Sequence, residues 1–194
     1  MDWAGRLTAF QQPVRHPWAI AVLLVCGWAP LQSATLQQLT FDDLVLKSTA
    51  IVHGKVTGSY AAFLGPVIYT HYSIQVTESL KGSNSGAVDV VVPGGAANHL
   101  RQIFAGAPQF QNGDEYVFFL WTGPSGLTQI MGLTQGLFQL SSSASATVTA
   151  TRAASSELML DPRSGRPVKD QTLVMSLNDL KAQIASRLAA GAAQ

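Results

Sequence analysis

Residues 67–82, VIYTHYSIQVTESLKG, alternate side to side for a dozen positions and stop at Lys81-Gly82. Ile68, Tyr72, Ile74, Val76 and Leu80 fall on one face, and Tyr69, His71, Ser73, Gln75 and Thr77 on the other. That period of two is the signature of a strand with one buried face. The surrounding segments follow suit. Ala50, Val52, Gly54 and Val56 alternate with Ile51, His53 and Lys55, which reads as another half-buried strand. Val88, Val90 and Val92 form a third, ended by Pro93-Gly94-Gly95. Residues 115–121, EYVFFLW, are apolar almost throughout, as in a strand buried on both faces. Residues 132–140 read as a weaker fifth strand, whose two glycines mark a bulge or bend.

Short helices complete the pattern. Thr40 is placed to cap a helix that begins at Phe41, with Asp42 and Asp43 at its positive end. Between the third and fourth strands, Leu100, Ile103 and Phe104 are spaced as one face of a short helix. Ser176 and Asp179 stand in capping positions before a stripe of Leu177, Leu180, Ile184 and Leu188, an amphipathic C-terminal helix. Five strands with a helix inserted after the third give the element order of an OB-like Greek-key barrel, here over residues 35–140. Residues 141–194 then form a Ser/Ala-rich extension, a loose loop or a weak edge strand, followed by the C-terminal helix.

The N-terminus bears on location. Arg6, Arg15 and His16 precede an uncharged run, WAIAVLLVCGWA (18–29), and small residues follow it. These are the parts of a secretory signal peptide over residues 1–34, with processing at Ser33 or Ala34. The alternative is an uncleaved N-terminal anchor. Val25 before Cys26 argues against lipoprotein attachment. Of the 12 Lys and Arg, Arg6 and Arg15 lie in the leader, and of the 11 acids Asp2 does, which leaves ten of each in a neutral remainder. Cys26 is the sole cysteine, so the exported chain would depend on its apolar core rather than on disulfides. A neutral chain without a Lys/Arg cluster excludes the nucleic-acid binders, whose affinity rests on phosphate neutralisation. The reading predicts no stable membrane span after processing.

Three pieces carry a family resemblance: STAIVHGKV (48–56), the SIQVTESLKG ending (73–82), and PGG followed by NGDEYVFFL (93–95 and 112–120). Together they resemble a group of uncharacterised secreted bacterial proteins with an OB-like barrel. The first two pieces are also distantly similar to the OB-like module of tissue inhibitors of metalloproteases and netrin-type domains. The resemblance implies the barrel alone; export, the OB-like element order and the missing catalytic motifs add the expectation of a binding module, with a secreted protein such as a protease as its partner. The inhibitory N-terminal cysteine of that family has no counterpart here.

Motifs of catalysis are absent from the sequence: no HExxH, CxxC, phosphate-binding loop or dinucleotide fingerprint. Gly123-Pro124-Ser125-Gly126 is one residue short of a nucleophile elbow. His53 and His71 are the candidate metal ligands, should the first two strands bring them together, but a metal site needs three or four ligands. Tyr60, Phe63 and Tyr69 around the first hairpin loop, and Trp121, are candidate binding aromatics or else plugs for the barrel ends. Gly94 and Gly95 would let a partner approach the backbone closely, or simply permit a turn. The leading expectation is an exported, non-catalytic binding module without cofactor. The alternatives are a metal protein or enzyme using His53 and His71, and a structural cell-surface protein.

Overall fold

The fold is described here for residues 35–142 and 147–193 of a computed structural model. The expected leader and the cleavage residues Ser33 and Ala34 lie outside these described residues. The described residues are mainly β, with a short helix after the first strand and a long helix at the C-terminal end. In order, the elements are β1 (Thr35–Gln37), α1 (Phe41–Lys47), β2 (Ala50–Leu64), β3 (Val67–Lys81), β4 (Ala87–Pro93), β5 (Gly95–Ala97) and β6 (Leu100–Gln102). Then come β7 (Glu115–Thr122), β8 (Thr128–Ile130), β9 (Leu137–Ser142), β10 (Val148–Arg152), β11 (Leu158–Leu160), β12 (Pro167–Val168), β13 (Leu173–Ser176) and α2 (Leu177–Ala192).

The main sheet runs β13-β10-β9-β7-β2-β3-β4, with β8 added on β7. The five expected strands are present as β4-β3-β2-β7-β9, each antiparallel to its neighbour. Closure of a five-stranded barrel would require β4 to pair with β9. Instead β9 pairs with β10, and β10 with β13, so the sheet continues past the expected barrel and keeps two open edges. A small sheet, β1-β11-β12, and the separate hairpin β5-β6 complete the strands.

Both faces of the main sheet are buried. One carries Val52, Val56, Tyr72, Ile74, Val90 and Phe118, with Phe110 meeting Tyr72, Tyr116 and Phe118 edge-on at centroid distances of 4.9, 5.2 and 5.8 Å. The other carries Ile51, Val117, Phe119 and Phe138 and is covered by Leu44 and Val45 of α1 and by Leu177, Leu180 and Ile184 of α2. Each fully buried side chain of this size contributes roughly 1.5–3 kcal/mol. The double burial of β7 agrees with its unbroken apolar run. Ile51 and His53, read as an exposed face, are both buried, Ile51 in the core that the helices cover.

The ends of the elements have identifiable causes. Thr40 caps α1: its hydroxyl accepts from the Asp43 N–H at 3.0 Å, while the Thr40 N–H donates to Asp43 Oδ2 at 3.1 Å. Lys81, where the alternation of β3 stops, donates its ammonium to the carbonyls of Val45 and Leu46 at 2.7 and 2.9 Å, closing the C-terminus of α1. Burial lowers the Lys81 pKa. The buried Arg152 donates to Asp170 at 2.6 Å and to the Gln171 carbonyl at 2.9 Å, which fixes the segment leading into β13.

The expected helix between the third and fourth strands does not form. Residues 95–102 are the β5-β6 hairpin, in which Ala97 pairs with Leu100 across the two-residue turn Asn98-His99. Both turn residues have positive φ, 50° and 64°, as a type I′ turn requires and a right-handed helix forbids. The strand expected from residue 132 begins at Leu137, after a set of turns.

Candidate functional site

The β5-β6 hairpin is held against the tip of the β2-β3 hairpin by two side chains, Gln102 and Thr70, and two glycines. Gln102 accepts from the Ile68 N–H at 2.7 Å and donates to the Pro66 carbonyl at 2.9 Å. The Gly94 N–H donates to the Ile68 carbonyl at 2.8 Å, and the Thr70 hydroxyl donates to the Gly94 carbonyl at 2.8 Å. Gly95 sits at φ 132°, and a Cβ there would lie 2.5 Å from Thr70 Oγ1 and 3.1 Å from the Ala61 Cβ. Only glycine admits so close a crossing of one hairpin over the other.

A cleft of about 240 Å³ opens beside this crossing. Its walls include Thr70, Gly94, Gly95, Arg101, Ile103 and Phe104. On the hairpin and the chain leaving it, Leu100, Ile103 and Phe104 are 60%, 77% and 42% exposed. The helical spacing read in these three residues therefore does not serve to bury them. Sequence reasoning found the two glycines but missed Arg101 and this apolar lip. The signal was Asn98-His99 between two short runs, a turn type that places both flanks on a hairpin.

The other candidates separate. Cross-strand pairing sets Phe63 opposite Ile68 on the face crossed by β5, whereas Tyr60 opposite His71, and Ala62 opposite Tyr69, fall on the reverse face. Tyr60 stacks on the His71 ring at 4.6 Å, and His71 Nδ1 lies 2.8 Å from Asp89 Oδ2. Trp121 pairs in β7 beside the beginning of β2, at the opposite end of that strand from Tyr60 and Phe63. Its partner Gln129 in β8 nonetheless borders Val92 and Pro93, which also belong to the cleft wall.

His53 and His71 are not brought together. His53 pairs with Glu78 and His71 with Tyr60, seven residues apart along β2, or roughly 20 Å. His53 Nε2 lies 2.6 Å from Glu115 Oε1, and its buried Nδ1, 4.0 Å from Glu78 Oε2, has no hydrogen-bond partner. Glu78 in turn accepts from Lys181 of α2. The cluster therefore fastens the C-terminal helix across three strands. Among the described residues, no group of three or more His, Cys, Asp or Glu side chains is placed to hold a metal ion. Nor is any described helix long and apolar enough to cross a membrane. No protein-family model, curated protein or solved structure matches this chain.

Proposed function

We propose that the protein is an exported, non-catalytic binding module that docks a segment of another protein, of which a secreted protease is one class, on the lip of the β5-β6 cleft. The observation that carries this is the exposure of Leu100, on a hairpin whose own anchoring bonds are satisfied, and of Ile103 and Phe104 on the chain leaving it. Large apolar side chains held together in water by a rigid support are the usual mark of a protein-binding surface. The OB-like relationship belongs to the same proposal: the order β4-β3-β2-β7-β9 supports it, and ligands of such barrels dock at the loops. Export rests on the leader pattern of residues 1–34 and is checked by N-terminal sequencing of the processed chain.

The test is selection of random dodecapeptides displayed on phage against the chain from residue 35. Enrichment on the native surface is expected, with retention at least about tenfold lower on Ile103→Asp, a change at an exposed position that leaves the melting temperature unaltered. Absence of enrichment, or equal retention by the variant, rejects the reading.

A further inference from the structure

Arg101 is the only charged side chain in the wall of the cleft among the described residues. It is exposed and makes no ion pair or hydrogen bond among them. The rest of the wall is backbone, apolar carbon and uncharged polar groups, including Gly94, Gly95, Ile103, Phe104 and Gln109. A lone guanidinium beside apolar carbon is complementary to a carboxylate that arrives attached to an apolar group. Its five donors match that ligand in a fixed fork.

The backbone narrows the class further. Among the described residues β6 pairs with β5 on one side only, and its other edge has no strand partner. In the register of that pairing the Arg101 N–H and C=O point to the open edge and can pair with a residue of an extended peptide. Gln102 and Phe104 line the cleft as well, but Arg101 and Ile103, two residues apart, fall on the same side of an extended segment. An added strand repeats that period. A carboxylate set over Arg101 therefore places the side chain two residues along over Ile103.

We infer that the cleft recognises an extended peptide in which an acidic residue stands two positions from a large apolar one, the carboxylate binding Arg101 and the apolar side chain covering Ile103. This rests on the binding-module reading and adds the chemistry of the partner. A peptide is favoured over a lipid surface because the site combines one charge with a strand edge, whereas membrane attraction grows with the number of basic residues.

The same dodecapeptide library distinguishes the two levels. The native bait is expected to enrich acid–x–apolar sequences. The best of them, synthesised with a fluorescent label, should bind Arg101→Glu about tenfold more weakly, and more weakly on the native protein as salt is raised. Replacing its acid with lysine should restore binding to Arg101→Glu and abolish it on the native protein. Enriched peptides that depend on Ile103 but carry no acid and ignore Arg101→Glu would overturn this inference and leave the binding module standing. No enrichment at all would remove both. Arg101-dependent binding to phosphatidylglycerol vesicles, with no peptide enriched, would assign the cleft to a membrane surface and overturn it as well.

Discussion

Ile74 and Gln75 are neighbours in β3 with opposite surroundings. Ile74 is fully buried against the backbone of β2, so close that a Cβ on Gly54 would lie 2.7 Å from its Cγ2. Gln75 is exposed. Ile74→Ala should therefore cost about 2–5 kcal/mol and Gln75→Ala at most ~1 kcal/mol, the latter allowing for its bond to the Gly86 carbonyl. Denaturant melts of both variants decide this, and equal costs would show that the faces are misassigned. Asp43 offers a pH test. Lys47, then the Thr40 hydroxyl and N–H, hold its carboxyl below the ordinary 3.8, at about 2. Since the folded value is depressed, the stabilisation is present above pH 3.8 and is lost as pH falls through about 2. The melting-temperature gap between the native chain and Asp43→Asn should thus narrow from pH about 5 to about 2. Parallel curves would show that the cap carries no charge-dependent stability.

At the scale of elements, β3 and β7 were legible because their periodicities are local. The half-buried alternation and the unbroken apolar run each declare a burial pattern without knowledge of what lies opposite. The β5-β6 hairpin was not legible, because Leu100, Ile103 and Phe104 share a helical spacing that an exposed hairpin can also carry. The deciding residues are Asn98 and His99, at φ 50° and 64°. His53 was misread for a different reason: its neighbours Glu78 and Glu115, and Lys181 of α2 bonded to Glu78, come from distant parts of the chain, and no local pattern reports that. Of the candidate site, the glycines announced the turn, but the cleft exists only because one hairpin crosses another. The turn itself is testable. His99→Gly relieves a left-handed residue in a hairpin and should be neutral or stabilising by up to about 1 kcal/mol. In a helix the same change would destabilise by a similar amount. A clear loss of stability would return the segment to the helical reading.

The whole molecule depends on the second face of its sheet. A five-stranded barrel complete by residue 140 would fold without the remainder. The strand pairing leads to the opposite expectation. β10 and β13 are hydrogen-bonded in series onto β9, and α2 closes the apolar face formed by Ile51, Val117, Phe119 and Phe138. Ending the chain at residue 140 removes the buried Ala150, Leu177, Leu180 and Ile184, and with them the partly buried Val148, Leu173, Met175 and Leu188. At roughly 1.5–3 kcal/mol for each large side chain, the loss is on the order of 10 kcal/mol, comparable to the whole net stability of an ordinary domain. It also leaves two phenylalanines and the buried His53 facing water where Lys181 and the helix had stood. A fragment of residues 35–140 should therefore lack a cooperative melt and bind the dye ANS, whereas residues 35–193 should melt in one transition without it. Cooperative unfolding of the short fragment would show instead that the first core suffices and that the C-terminal strands and helix are an accessory layer.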